Sequence, residues 1–218
     1  MNNCLICQNN TQDSDYKSLC VGCQSLLHKP IFACHQCGES LQVSQHLCGS
    51  CLIKPPAFNQ TLYVSFYQAP IDKWVMALKF GKKIIYSRFM AELMLPLLNQ
   101  ANKDHVLMPV PLHKSRLRSR GYNQAYEIAK ELAKYSSYKL DTSLLRQKHT
   151  QMQAQLKFKE RAKNVRGAFA LSNNFHHEKV ILVDDVMTSG NTLSECAKTL
   201  IKSGVKSVKV LVFARKSL

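Results

Sequence analysis

Two carboxylates, Asp184 and Asp185, stand side by side in the stretch VILVDDVMTSGNT (Val180 to Thr192), followed by the hydroxyl side chains of Thr188, Ser189 and Thr192 around Gly190. Adjacent carboxylates at the end of a strand can accept hydrogen bonds from the vicinal hydroxyls of a sugar. A small turn that opens a helix presents backbone N–H groups and the positive end of the helix dipole to an anion. Together they predict a ribose carrying a 5-phosphate as ligand. The lysine of a nucleotide-binding P-loop is missing from this turn, which sets that chemistry aside. The plainer alternative is a buried strand running into a helix that Thr192 and Glu195 close as a capping box.

A second set of chemical residues lies at the other end of the chain. Eight of the nine cysteines form four C-x-x-C pairs: Cys4/Cys7, Cys20/Cys23, Cys34/Cys37 and Cys48/Cys51. Two thiolates at this spacing converge on one metal, and two such knuckles complete a tetrahedral zinc site. With no export signal in MNNCLICQNN, zinc is expected before disulfides. Adjacent and cross-braced pairings both fit the gaps. Adjacent pairing closes the shorter loops and is preferred, giving Cys4, Cys7, Cys20 and Cys23 one zinc and Cys34, Cys37, Cys48 and Cys51 a second. His28, His35 and His46 are expected as bystanders. The ninth cysteine, Cys196, shares a helical face with Leu193, Ala197, Leu200 and Ile201 and is expected in the core.

These residues need a scaffold, and composition bounds it. The chain has 218 residues, 45% of them hydrophobic, and a formal charge of +16. That length buries one full core and a small appendage. No apolar run reaches the roughly 18 residues of a membrane span, so a cytoplasmic protein is expected. Residues 1–58 carry three basic and three acidic side chains, whereas Leu112 to Arg166 carries 14 Lys plus Arg against four acids. A field that concentrated attracts phosphates, on a small ligand or along a nucleic acid.

The predicted order is a metal-dependent module over 1–55, a stiff linker at Lys54-Pro55-Pro56, and an α/β domain over 56–218. TLYVSFYQ alternates like a strand. APIDKWVMALKFG follows as a helix with Ile71, Trp74, Val75 and Leu78 on one side, and Arg88 to Leu98 is a second helix interrupted at Pro96. VLMPVPL (Val106 to Leu112) is a buried strand that stops at prolines. A basic loop then leads to a helix capped by Asn123, with Ala125, Ile128, Ala129 and Leu132 as its apolar stripe. Lys179 to Val183 and Lys206 to Phe213 are further strands. Strands alternating with helices predict a parallel sheet.

The stretch around Asp184 resembles the phosphoribosyl pyrophosphate (PRPP) motif of type I phosphoribosyltransferases. The knuckles, ALKFGKK, PVPLHKSRLRSRGYNQA, RQKHTQMQAQLKFKERAKNVRGAF and VILVDDVMTSGNTL together resemble the ComF (also GntX, or competence-protein) family over essentially the whole chain. The resemblance implies a type I phosphoribosyltransferase-like parallel sheet flanked by helices, preceded by a small Cys4 zinc-binding module. It further implies that Asp184 and Asp185 are the catalytic pair and hold the ribose hydroxyls, with Mg²⁺ bridging to pyrophosphate. The ligand would lie along Asp184 to Thr192, Val186, Met187 and Asn191 included, with Thr188 to Thr192 on the 5-phosphate. Pro109, Val110 and Pro111 would form the pyrophosphate loop, and Lys114, Arg116 or Arg120 would neutralise charge, an arginine fork suiting two phosphate oxygens. Arg146 to Arg166, with Lys148, Gln153 and Arg161, resembles a flexible loop that closes over PRPP and excludes water; a plain basic loop is the alternative.

One departure bears on chemistry. Purine-salvage transferases carry an acid where this chain has Thr188, which argues against that acceptor. Three functions follow. The first is handling of incoming single-stranded DNA in natural transformation, with DNA-uptake and recombination proteins as partners. Its nucleic-acid contacts would come from Lys79, Lys82, Lys83, Arg116, Arg118, Arg120, Lys157 and Lys159, and stacking from Tyr63, Phe66, Tyr67, Trp74, Phe80 and Tyr122. Trp74 is expected in the core. The second is Mg²⁺-dependent phosphoribosyl transfer to an unidentified acceptor. The third makes the zinc module a docking adaptor that brings the protein to a helicase at the inner face of the membrane.

Overall fold

The computed structural model describes residues 3–99, 104–147, 165–172 and 175–217. Its centre is a four-stranded parallel sheet. In chain order the strands are β3 (Gln60–Phe66), β4 (Val106–Pro109), β7 (Lys179–Met187) and β8 (Ser207–Arg215), and in space they run β3-β8-β7-β4. Helices α3 (Ile71–Lys79), α4 (Ile85–Leu98), α5 (Lys114–Arg120), α6 (Gln124–Lys134) and α7 (Asn191–Lys202) surround it, and two short strands, β5 (Leu144–Arg146) and β6 (Phe169–Leu171), pair antiparallel beside α7. This is the expected α/β sheet flanked by helices. No helix among the described residues is long and apolar enough to cross a membrane.

Successive residues of a strand face opposite sides, and the core divides accordingly. Ile181 and Val183 pack with α3, α4 and α6, around Trp74, Phe89 and Phe213. Val180 and Leu182 pack with Leu193, Cys196, Ala197 and Leu200 of α7. Cys196 and Trp74 are therefore core residues, and Ile71, Trp74, Val75 and Leu78 form the buried face of α3 as their spacing predicts. Ile201 does not join its expected face and is 46% exposed. Asn123 caps α6 by accepting the Ala125 N–H at 3.2 Å, and Ala125, Ile128, Ala129 and Leu132 are buried.

Three local expectations are corrected. Strand β3 is buried along Thr61 to Ser65 instead of alternating, because β8 pairs on one edge and the cysteine-rich segment covers the other. The Phe66 N–H donates to the His28 carbonyl at 2.9 Å, and the Thr61 N–H to the His35 carbonyl at 3.2 Å. Helix α4 starts at Ile85 and continues through Pro96, which lies in its last turn and withdraws a single N–H, the one that would reach the Glu92 carbonyl. The basic loop after β4 is instead α5, capped by the His113 ring at its start and by Gly121 (φ 88°) at its end. The segment at Pro55-Pro56 is tied on both sides: Gln36 Nε2 donates to the carbonyls of Pro56 (3.2 Å) and Phe58 (2.9 Å), and the Ala57 N–H donates to Ser194 Oγ (3.1 Å).

The cysteine-rich segment has little regular structure: α1 (Val21–Gln24), the pair β1 (Phe32–Ala33) and β2 (Ser40–Leu41), and α2 (Gly49–Ile53). Glu92 of α4 clamps its first half by accepting the N–H groups of Lys17 and Ser18 and the Ser18 hydroxyl.

Candidate phosphosugar site and cysteine clusters

The site is built where β7 outruns its neighbour. Pairing with β4 ends at Pro109 opposite Val183, while β7 continues beside β8 to Met187 opposite Arg215. Asp184 and Asp185 thus clear the end of β4 while the ladder to β8 still holds them rigid. Their side chains diverge, as neighbours in a strand must. Asp185, 4% exposed, meets Lys79 Nζ of α3 at 3.0 Å. Asp184 is half-buried on the other face, towards Arg146 and Cys196, and accepts the Asp185 N–H at 2.9 Å.

The electrostatics separate the two acids. Burial, and then the Asp185 carboxylate, push Asp184 up to about 7, against the pull of Lys79, the Asp185 N–H and Arg146. Burial works against the Lys79 ammonium, but Asp185 and Asp184 outweigh it and raise its pKa. The pair therefore carries one neutralised carboxylate and one that gains from a further cation. That donor chemistry fits Mg²⁺, which takes oxygen ligands from one or two carboxylates and from substrate phosphates. Asp184 would hold such an ion, which would supply positive charge to a bound phosphate.

Past Met187 the chain turns through Thr188, Ser189 and Gly190 into α7. Gly190 is the N-cap with φ 72°, a left-handed conformation that a side chain would strain, and as a glycine it offers no side-chain cap of its own. Glu195 does not close a capping box; its Oε1 accepts the Gly167 N–H at 2.8 Å. Ser189 Oγ is buried without a hydrogen-bond partner, an orphan that an incoming phosphate oxygen would satisfy. A cavity of about 40 Å³ separates Asp184 from this turn, lined also by Val186, Met187, Thr188, Thr192 and Leu193. A larger cavity of about 590 Å³ lies between the first cysteine segment and α4, beside Tyr16, Arg88 and Tyr135, but it contains neither the acidic pair nor the turn. The chemistry favours the smaller one.

Across the site, the Val110 N–H donates to the Val183 carbonyl at 2.9 Å, and Asn123 Nδ2 donates to the Val110 carbonyl at 3.0 Å. Asn123 thus fixes the Pro109-Val110-Pro111 turn as well as capping α6. Arg120 lies over the Phe80 ring, 5.1 Å from its centroid, and donates to Gln124 Oε1 at 2.7 Å. Arg116 is half-buried, and burial followed by repulsion from Arg120 lowers its pKa. Lys114, Arg118, Lys82 and Lys83 are exposed. Lys79, expected among the nucleic-acid contacts, instead faces the acidic pair. Arg146, expected in the flexible loop, ends β5, 9% exposed, its guanidinium 5.5 Å from the Phe169 ring centroid. Lys148, Gln153, Lys157, Lys159 and Arg161 lie outside the described residues. Of the expected stacking rings, Phe80 is 59% exposed, whereas Tyr63 and Trp74 are buried.

Spacing alone did not reveal the Lys79 contact, although a signal exists. Lys79 follows Val75 by four residues and so continues the buried stripe of α3.

The eight N-terminal thiols form two groups, Cys4, Cys7, Cys20, Cys23 and Cys34, Cys37, Cys48, Cys51, with ligand atoms in each within 4.8 Å of one another. This is the adjacent pairing. Cys7 Sγ lies 3.4 Å from Cys20 Sγ, and Cys37 Sγ lies 3.6 Å from Cys48 Sγ, too far for disulfides and close to a tetrahedral edge around zinc. Burial raises Cys4, but the N–H groups of Cys20, Cys7 and Ile6 outweigh it and bring the thiol down to about 6. At Cys34 the N–H groups of Cys37, Cys48 and Gln36 outweigh burial likewise, giving about 7. Both sets can bind zinc. His35 and His46 stack on each other, ring centroids 4.6 Å apart, outside the thiol sets.

A strand ending in adjacent acids, a glycine turn into a helix and a parallel sheet define a phosphoribosyltransferase-type domain, and the family model described as "Phosphoribosyl transferase domain" matches residues 116–217. Relatives extend the likeness through the cysteines. The chain is 34% identical over 222 residues to "Competence protein F" of Haemophilus influenzae, covering 97% of this chain and 96% of that protein. It is 29% identical over 204 residues to "DNA utilization protein YhgH" of Escherichia coli K12, covering 90% of each, and 26% identical over 220 residues to "Competence protein ComFC" of Bacillus subtilis, covering 92% and 89%. The chain belongs to the competence protein F family.

Proposed function

We propose that this chain is a competence protein that handles incoming single-stranded DNA in the cytoplasm and carries a PRPP-binding site with Mg²⁺. The observation that supports it most is the full-length likeness, cysteine module included, to proteins named for competence and DNA utilization. The phosphosugar half draws on the unpartnered Ser189 hydroxyl in the Gly190 turn, and on the small cavity that Asp184 shares with Thr188, Gly190 and Thr192. Ribose hydroxyls would meet the acidic pair, the 5-phosphate would take the turn, and Arg116 and Arg120 would face pyrophosphate beyond the Val110 turn. Exposed Lys82, Lys83, Lys114 and Arg118 would supply phosphate contacts, and exposed Phe80 a stacking ring, for a single strand.

The test compares transformation frequency in wild-type cells and in cells carrying Asp184→Ala/Asp185→Ala. A drop in the variant with the protein present at normal level is expected; unchanged transformation refutes the link between site and DNA handling. Retention of single-stranded DNA by the purified chain should weaken steeply with salt. Absence of salt-sensitive retention removes the DNA-handling half.

Two other readings have support. The match to a phosphoribosyl transferase domain favours an enzyme, in which the acids and basic groups stabilise oxocarbenium and pyrophosphate charge; release of pyrophosphate from PRPP by added DNA or nucleosides would identify it. Exposure of Ile31, Phe32, Val43, Leu52 and Ile53 on the second cysteine segment favours docking to a DNA-uptake protein.

A further inference from the structure

The second cysteine cluster and the phosphate-binding turn are far apart in sequence but share one buried side chain. Arg215 ends β8, a strand flanked on both sides in the sheet, and is 1% exposed. Its guanidinium spreads over three segments. Nε donates to the Cys37 carbonyl at 2.9 Å, inside the knuckle that supplies a thiol to the second set. Nη2 donates to Glu39 Oε2 at 2.9 Å, and that carboxylate is itself only 19% exposed. Nη1 donates to the Thr188 carbonyl at 2.7 Å, at the start of the turn, and to the Lys216 carbonyl.

The knuckle also packs closely against the sheet. Gly38, between Cys37 and Glu39, has φ 69°, and a Cβ there would lie 2.9 Å from Tyr63 Cε1, so the knuckle is seated directly on β3. On the other side, the Lys216 N–H donates to the Met187 carbonyl at 2.9 Å, so the chain after β8 is tied to the residue just before the turn. A guanidinium suits this position because its rigid planar fork donates in several fixed directions at once, which an ammonium on a flexible stem cannot do.

We propose that Arg215 is a positioning residue that ties the Thr188–Thr192 turn to the second cysteine cluster, so that metal held by Cys34, Cys37, Cys48 and Cys51 tunes the turn's affinity for phosphate. Metal fixes the Cys37 knuckle, the knuckle fixes the guanidinium, and the guanidinium fixes the first carbonyl of the turn. The cysteine module is then part of the phosphate site's framework, although none of its residues touches the ligand. The proposal rests on the phosphosugar reading of the turn.

The test uses the full zinc-loaded chain, ribose 5-phosphate as probe, and two readouts: affinity by calorimetry, and hydrogen exchange of the 188–192 amides without ligand. Arg215→Lys keeps the positive charge beside Glu39 but cannot span the four acceptors. Cys34→Ser weakens the second cluster, checked by zinc content falling by one ion per chain. Each single variant is expected to lose about tenfold in affinity and to speed exchange in the turn. The double variant should be no worse than the more affected single one, because both break the same link. Wild-type affinity and exchange in a folded Arg215→Lys chain overturn the proposal, and so do losses that multiply in the double variant. If Cys34→Ser does not fold, chelation of zinc from the folded wild-type chain takes its place: unchanged exchange of the 188–192 amides after zinc loss overturns the proposal. If wild type does not bind ribose 5-phosphate, the phosphosugar reading falls, and the exchange readout still decides whether Arg215 couples the turn to the cluster.

Discussion

Replacing Asp184 by Asn should make the ligand-free protein more stable, and increasingly so as pH rises. The carboxyl is held up at about 7 by burial and by the Asp185 charge, whereas an aspartate in an unfolded chain titrates near 3.9. A folded-state pKa above the unfolded one means that the fold favours the protonated acid. The benefit is complete below about pH 4, declines as pH rises through about 7, and is then fully lost. About three pH units at roughly 1.4 kcal/mol each set a ceiling of about 4 kcal/mol. Asp184 is half-buried, so solvent screening brings the expected cost of the ionised form to about 2 kcal/mol at pH 8. Asparagine carries no charge at any pH and keeps an amide oxygen to accept the Asp185 N–H, the bond now 2.9 Å long. The difference in melting temperature between Asp184→Asn and wild type, both zinc-loaded, should therefore grow from pH 5 to pH 8. It should reach roughly 4–8 °C for a chain of this size. The variant should meanwhile lose Mg²⁺-dependent PRPP binding. A pH-independent difference, or a variant less stable than wild type at pH 8, refutes the assignment of Asp184 as the strained member of the pair.

Lys79→Met removes the cation from a buried carboxylate and should cost about 2–3 kcal/mol in a denaturant titration, with part regained on adding Mg²⁺; no loss means that Asp185 has another partner. Trp74→Ala opens a cavity among Phe89 and Phe213 and should cost about 3–5 kcal/mol by the same measurement without changing zinc content. Gly190→Ala places a methyl group on a φ of 72° and should cost about 1–2 kcal/mol and weaken ribose 5-phosphate binding in calorimetry. Chelation of zinc should expose the cysteine-rich segment to protease while the core around Trp74 outlasts it, because the segment has few large apolar side chains of its own; equal cleavage rates with and without metal contradict zinc as its organiser.

What the sequence reveals and what it hides divide along a physical line. The acidic pair, the glycine turn, the stripe of α3 and the cap at Asn123 are legible because each depends on neighbours within a few residues. The thiol pairing is legible because short loops close at least cost. Contacts across the fold are not. Lys79 counts as one more surface cation until α3 packs beside β7 and brings it to Asp185. Arg215 looks like the polar end of an apolar strand until the knuckle closes over it. The extra length of β7 comes from continued pairing with β8 after β4 has ended, which local hydrophobicity cannot report because Asp184 and Asp185 interrupt the apolar run. The burial of both faces of β3 likewise depends on the cysteine segment along its edge.

The most direct test of the account is a calorimetric titration of the zinc-loaded chain with PRPP and Mg²⁺, run beside Asp184→Ala/Asp185→Ala. Saturable binding heat in wild type and none in the folded double variant is the result the phosphosugar site predicts. No heat in wild type, or equal binding in the variant, contradicts it.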